Sequence, residues 1–583
     1  VSSSNRRPYE SATSLTQDVL DNSQDNLVQK FEMIAEIEAP DGSTLYLSDR
    51  PKFVGTRFYA NRVTFPPIRK TVGEWLSGQL QFSTVEIQVN NTDGFYSNYL
   101  PAGADFDPWL GLPIEIKIGL AEIASTYETI FKGFVTPEAG VERSTKTFTL
   151  IARSRFDKVN TKFPTDSLIK DDWPDLEDEF VGLGAPVIYG DWTTELRPEA
   201  PEVPCYPVNG LDPLVNASLD PPDPNVGDTA LRCVIASVDL KSLSTDSITL
   251  YRGDAYYTFS SGDISIVGGS GNAVIDITQK NLMVDDGAGG TQPWIYETGD
   301  EFYCECVGID LGGSEDNVVL QAKDLLKRFG GLVNGDFDAN WATFAAKSTP
   351  IESAVANRKS RVWVQEPKET LAYALSLLEQ VRLENFVSRD NLFKLNSLHF
   401  DEFVASPTFT LRNWDIGRDS FRPQIDERNN WNRAKADYAF SPPINENRLS
   451  TPWFRNQTAI TAAGKEISKI PVFPNLYIES DVTTELKEMI KLASAYAEFI
   501  EVLATSRAML KDIGDFIVIG TNIGSVDFTG TTVPGMIRDI GYNPDGLGIP
   551  MRIWSFQMVP FPGYSPGFSG ITGGSTATIT QET

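Results

Sequence analysis

The chain has 583 residues with 50 Lys or Arg against 79 Asp or Glu, a formal net charge of −29. That length exceeds what one hydrophobic core serves, and at roughly 150 residues per domain about four domains are expected. The 41% apolar and 22% charged fractions are those of a folded protein; no run approaches the roughly 18 apolar residues of a membrane-spanning helix, which argues against an integral membrane segment. The acidic balance disfavours tight phosphate binding unless basic residues gather on one face, and no such cluster stands out.

Residues 1–30, beginning VSSSNRRPYESATSLTQDVLDNSQDN, lack the apolar stretch of a secretory signal and read as a polar arm. From Phe31 to about residue 165 short β-branched and aromatic runs alternate with turn signals, predicting an antiparallel barrel or sandwich. Pro40-Asp41-Gly42 marks a hairpin turn. VEIQV places Val85, Ile87 and Val89 on one face and Glu86 and Gln88 on the other, a half-buried strand.

Residues 166–310 open with Pro-, Asp- and Gly-rich sequence and then resume short strands, reading as an inserted β-domain. The acidic run Asp171 to Glu179 holds carboxylate pairs that raise glycosidase chemistry or a Ca²⁺ loop, but DDWPDLEDE matches no EF-hand spacing and reads more simply as a solvated segment.

Helical spacing begins at residue 316: Val319, Ala322, Leu326 and Phe329 share a stripe that stops at Gly330-Gly331, opening an α/β module assigned to 311–410. Leu371, Leu375, Leu378 and Val381 form a second stripe leading to a strand at Phe393 to Leu395. In residues 411–562, Leu486, Ile490, Ala493, Ala497, Ile500 and Ala504 approach a heptad seam, which predicts one long amphipathic helix; its apolar face suits either subunit contacts or packing on its own domain. Strands DFIVIG, VPGMIRDIGYN and MRIWSFQMV complete that region, and the Gly-, Ser- and Thr-rich residues 563–583 read as a flexible tail.

Candidate chemistry is sparse. With His399 as the one histidine, a Ser-His-Asp or Cys-His mechanism lacks bases to choose from, and a structural imidazole is the simpler reading. Cys205, Cys233, Cys304 and Cys306 form no paired CxxC knuckle; Cys304 and Cys306 would face one side of a strand. Convergence on a metal remains an alternative to inert buried thiols. GLGAPVIYG and VGGSGNA lack the GK[ST] ending of a phosphate loop. A glycosidase needs only two acids roughly 5 to 10 Å apart, and no pair can be nominated among so many. No catalytic, cofactor or metal residue is therefore assigned.

Several segments in order resemble the central hub proteins of tailed-phage tail tips and baseplates: IQVNNTDGF (87–95), LPIEIKIGL (112–120), IFKGFV (130–135), APVIYGDW (185–192), KDLLKRFGGL (323–332), NFVSRDNLFKL (385–395) and LKDIGDFIVIG followed by VPGMIRDIGYNPDG (533–546). The resemblance covers most of 31–560, except 166–310. It implies a mainly β, multidomain fold with α+β modules, in which 31–165 and 411–562 are tail-tube-like β-domains and 311–410 is an α/β hub domain. It makes Asn91, Asp93 and Gly94 shapers of the backbone rather than ligand groups. It further implies a non-enzymatic virion protein, made in the bacterial cytoplasm, whose homotrimer continues and closes the tail tube. The implied partners are a distal tail or tail-tube ring, the tape-measure protein and a central fibre or spike, with DNA passing through without specific binding. Some tail-tip proteins of this kind carry an iron–sulfur cluster, so the four cysteines stay open on that point. A polysaccharide-binding or -cleaving β-protein, favoured by 11 Trp, 19 Tyr and 33 Phe, is the competing reading.

Overall fold

The structure is a computed structural model that describes residues 31–555 and 579–581, apart from 72–83, 100–107, 121–122, 124–125, 137–145, 155, 157–158, 160, 175, 177, 194–201, 209–230, 253–254, 268–272, 278–281, 286–288, 295, 297–298, 348–357, 390, 399–408, 413–414, 418–419, 427–430, 495–496, 520–521, 524–525, 528–532 and 543–547. The polar arm and His399 lie outside the described residues. The fold is mainly β, in several domains whose sheets curl as half-barrels.

Alternating apolar residues build the first sheet. Val85, Ile87 and Val89 in the Thr84–Asn90 strand and Ile114, Ile116 and Ile118 in Pro113–Leu120 are all buried, while their neighbours Glu86, Gln88 and Glu115 are not. Nine strands result, in the order Lys52–Val54, Arg57–Asn61, Thr44–Ser48, Phe31–Glu38, Pro113–Leu120, Glu128–Val135, Thr147–Ser154, Thr84–Asn90 and Val63–Thr64. A second sheet runs Phe409–Leu411, Phe516–Ile519, Val533–Tyr542, Ile549–Ser555, Ala497–Ala504 and Arg422–Asp426. Apolar side chains of both sheets, from Phe31 to Ile553, belong to one continuous core.

Between these sheets in sequence lie two further cores. Residues 203–304 supply a seven-stranded sheet around Trp294, Phe302 and the cysteines. Helices Val318–Arg328 and Thr370–Gln380 bury the predicted stripes in a third core, which also takes in Trp431, Tyr438, Phe473 and Leu486. The short Val187–Tyr189 strand divides the two: Val187 and Tyr189 enter the helical core, whereas Ile188 and the following Trp192 enter that of the seven-stranded sheet.

The long helix expected through residue 504 is shorter. It spans Glu479–Ser494, and Ala497–Ala504 is a strand paired on both sides, with Arg422–Asp426 and Ile549–Ser555. Ile500, Val502 and Ala504 are buried at period two; β-branched and aromatic content with two strand partners overrides a spacing that also fits a helix. Leu486, Ile490 and Ala493 are buried in the chain's own helical core, so of the two roles left open for that face the structure shows intradomain packing. In the terminal segment expected to be flexible, Ile579–Gln581 pairs antiparallel with Phe454–Asn456; backbone hydrogen bonds to an existing strand order a stretch too polar to bury itself.

The turn before Phe516–Ile519 needs glycine for two reasons. Gly514 has φ +78°, and a Cβ there would stand 2.5 Å from Cε1 of Phe386. Gly514→Ala is expected to cost about 2 to 4 kcal/mol, from left-handed strain plus overpacking. Denaturant unfolding checks the magnitude, and faster hydrogen exchange concentrated in 383–397 and 512–519 checks the location.

Candidate assembly interface

The two curled sheets are joined by a strand that lies within the first in sequence and pairs with the second. After Val63–Thr64 at the edge of the first sheet, Pro66 and Pro67 remove two donors and keep the chain extended. The chain then crosses to the second sheet, where Ile68–Thr71 pairs antiparallel with Val533–Tyr542 in the register Ile68↔Tyr542 to Thr71↔Asp539. Strand alternation buries Ile68 and Lys70 and leaves Arg69 outside. Arg69 forks onto Asp539, Nε to Oδ1 at 2.8 Å and Nη2 to Oδ2 at 2.7 Å, and the carboxylate holds the guanidinium charge more firmly. Lys70 Nζ donates to Asp512 Oδ1 at 3.4 Å.

Asp512 is also the point at which the helical domain attaches. It accepts from the Arg389 backbone N–H in the turn between strands Leu383–Val387 and Phe393–Ser397. Its own N–H donates to Asp515 Oδ2 at 3.0 Å, and Asn396 Nδ2 donates to the Gly514 carbonyl at 2.9 Å. Burial pushes the Asp515 carboxyl up against the pull of that N–H and of Lys394. A pocket of about 30 Å³, partly open to solvent, remains where Lys70, Phe131, Ser388 and Ile513 meet, with space for about one or two waters.

A second polar contact flanks this junction. Arg538, on the interior strand Val533–Tyr542, pairs with Glu384 and lies 5.6 Å from the Trp554 ring. Close by, burial and then the Glu384 charge push the Glu379 carboxyl up to about 7, with Lys469 opposing. Deeper in the helical core, Glu485 is fully buried between two buried arginines, 2.8 Å from Arg358 Nε and 3.7 Å from Arg382 Nε. Burial pushes Glu485 up and Arg382 down, so desolvation outweighs the attraction that each supplies to the other.

The seven-stranded sheet is fastened through Arg361. Its guanidinium lies 4.0 Å from the Tyr477 ring and 5.2 Å from the Trp192 ring, and Nη1 is 3.5 Å from Glu202 Oε2. Arg448 reaches the other Glu202 oxygen at 3.2 Å. Asp316 Oδ1 accepts the Asp191 N–H at 2.6 Å, which holds the Val187–Tyr189 strand to the start of the first helix.

The residues singled out from sequence take the following places. Asn91 is buried and its Oδ1 accepts the Tyr96 N–H at 2.7 Å; Gly94 has φ +75°, as the tight turn requires. Asp93 does more than shape the turn: it takes Arg62 bidentately, at 2.8 and 2.6 Å. The four cysteines do converge in one core, Cys304 hydrogen-bonding with both Cys205 and Cys306, and all are fully buried with pKa values raised mainly by burial or by that thiol contact. Burial thus favours the neutral thiol, and no group of three or more His, Cys, Asp or Glu among the described residues is placed to hold one metal ion. GLGAPVIYG leads into a strand rather than a helix, and most of VGGSGNA lies outside the described residues. No described helix is long and apolar enough to cross a membrane. The pairs Arg69–Asp539 and Arg358–Glu485 carry no local sequence signal, since their partners are remote in the chain.

The outward face of the nine-stranded sheet carries mixed charge. Lys52 meets Glu32 at 2.7 Å, Lys117 meets Glu36 at 2.9 Å, and Lys132 meets Glu115 at 3.7 Å. Tyr59 donates to Glu36 at 2.7 Å. Hydrogen bonds from Lys117 and Tyr59 outweigh burial and hold the Glu36 carboxyl below its ordinary value.

No family model matches the chain, and no curated protein matches it. Among solved structures it is similar to phage tail proteins. One is the tail protein from Neisseria meningitidis MC58, at TM-score 0.38 and 9% identity, covering 90% of this chain and 96% of that one. Another is the 43 kDa tail protein of prophage MuSo2 from Shewanella oneidensis, at TM-score 0.37 and 8% identity, covering 90% and 98%. A prophage tail protein from Listeria monocytogenes EGD-e is similar at TM-score 0.26 and 10% identity, covering 54% and 90%. The functional reading below rests on the ordered motifs and on the geometry of this chain.

Glu485→Ala leaves the buried Arg382 without its carboxylate and Arg358 with Asp481 alone, at 3.5 Å, and is expected to destabilise by about 3 to 5 kcal/mol, whereas replacing Arg358, Arg382 and Glu485 together by apolar residues of similar volume costs less; comparing the two denaturation curves decides it. For Glu379 the folded pKa of about 7 lies above the 4.5 of an unperturbed carboxyl, so the folded state loses stability relative to the unfolded as pH rises from 4.5 through 7. Glu379→Gln is therefore expected to raise stability at pH 8, by up to about 2 kcal/mol after screening is discounted. The gain should vanish near pH 4.5, as read from melting temperatures across that range.

Proposed function

We propose that the chain is a structural hub of a phage tail tip or baseplate, acting by assembly and gating rather than catalysis. Three copies close into a ring that continues and closes the tail tube, carries a central fibre or spike, and opens for DNA ejection. Its partners in this reading are a distal tail or tail-tube ring, the tape-measure protein and the fibre, and its place is the virion tail tip, after synthesis in the host cytoplasm. The division of the chain at residues 30, 165, 310, 410 and 562 belongs to the same reading.

One observation carries the proposal. Each chain presents two curled sheets that share a core and are bridged by Ile68–Thr71, so three copies would supply six sheets around one axis. The ordered motifs support it, because the turns and strands they name build those two sheets: the 87–95 stretch ends a strand of the first, and the Gly514-Asp515 turn starts one of the second. An acidic protein also suits a passage for DNA, since carboxylates repel phosphates within a Debye length of about 8 to 10 Å. On the first sheet's outward face Glu32, Glu36 and Glu115 are paired with lysines, so that part of the face is suited to contact with protein or fibre rather than to repelling phosphate.

Native mass measurement of the purified full chain tests this directly. The expected species is a trimer of 64.4 kDa chains whose electron-microscopic projections show a central opening. A stable monomer, or a trimer without an opening, would reject the ring.

A further inference from the structure

A cleft of about 290 Å³ opens between the turn that contains Trp173 and the ends of the paired strands Leu231–Val234 and Val274–Ile277 of the seven-stranded sheet. Leu168 and Val234 lie at its floor, Trp173 forms a wall, and Asp166, Asp172 and Asp239 stand around it. The wall is fixed in place: the Trp173 N–H donates to the Ile169 carbonyl at 3.0 Å, its carbonyl accepts from Leu176 at 3.1 Å, and its side chain packs on the small core of Leu168, Leu176 and Val234. The three carboxylates are exposed, and no described cation pairs with any of them. The acidic run that looked like a solvated segment thus contributes one carboxylate to a concave, half-apolar site.

We propose that this cleft binds a neutral sugar ring, an interaction separate from the ring assembly above and not dependent on it. The volume equals the share of about ten liquid waters, enough for one six-membered sugar ring with its hydroxyls and near the lower end for a ligand pocket. A pyranose presents an apolar C–H face that stacks on an indole and an equatorial rim of hydroxyl donors, which ionised carboxylates accept strongly. Two observations narrow the ligand. Among the described residues no three acidic side chains are placed to share one metal ion, which favours a ligand with several separate donors over a single cation. The same three carboxylates, on a chain of net charge −29, repel sugars that carry carboxylate or phosphate. Only binding is proposed, with no bond cleaved.

Saturation-transfer NMR on the full chain tests it, with glucose, galactose, rhamnose, N-acetylglucosamine, maltotriose and chitotriose as probes at about 10 mM, a range that detects millimolar affinity. At least one neutral probe should receive saturation on its ring protons, and Asp172→Asn, a change at an exposed position that leaves the fold intact, should weaken it by about tenfold. Trp173→Ala should abolish the signal, with circular dichroism confirming that the variant is folded. The proposal is overturned if no probe binds, if binding is unchanged in Asp172→Asn, or if spermidine displaces the sugar, which would mark a site for cations.

Discussion

Everything in this chain depends on four residues changing sheets. Ile68–Thr71 leaves a sheet built from residues 31–154 and becomes an antiparallel strand of one built from residues 409–555. Main-chain pairing of this kind is intolerant of small shifts, since a one-residue slip would turn Ile68 and Lys70 outward and Arg69 into the core. The fork of Arg69 on Asp539 adds little energy at an exposed position but fixes the register. The larger stabilisation comes from the continuous apolar core that the crossing makes possible.

The same crossing explains why the helical domain sits where it does. Its hairpin places Phe386 against Gly514 and the Arg389 N–H against Asp512, so the hairpin fills the seam between the sheets. A glycine and an aspartate that look like turn residues in sequence thus have distinct work here: one admits an aromatic ring, and the other joins strands from three parts of the chain. Buried charge concentrates behind this seam, where Glu485 lies between Arg358 and Arg382. Such a group adds little net stability over apolar packing, but it penalises any arrangement in which one partner is missing.

Much of the sheet structure was legible in sequence because it is local. Alternation in VEIQV and PIEIKI, the Asn91 to Gly94 turn and the stripes of the helices at 318–328 and 370–380 all depend on neighbours within a few residues. What was not legible is what depends on remote partners. The Ala497–Ala504 segment satisfies helical and strand spacing together, and its two flanking strands decide between them. Nothing near Arg69 or Arg358 announces a partner more than a hundred residues away. The acidic run at 171–179 reads as solvated until folding brings Asp172 and Trp173 beside the distant Val234.

The Val187–Tyr189 strand, with one face in each of two cores, bears on how such a molecule can change. The chain enters the seven-stranded sheet just after Trp192 and returns beside its own point of departure, where Asp191 bridges Val307 and the Gly308 N–H reaches the Gly190 carbonyl at 2.9 Å. The intervening module is therefore a cassette: a short loop could span the gap, and a different module could be grafted there while leaving the two-sheet body continuous. Whatever replaced it would have to bring apolar surface for Ile188 and Trp192, which otherwise face water.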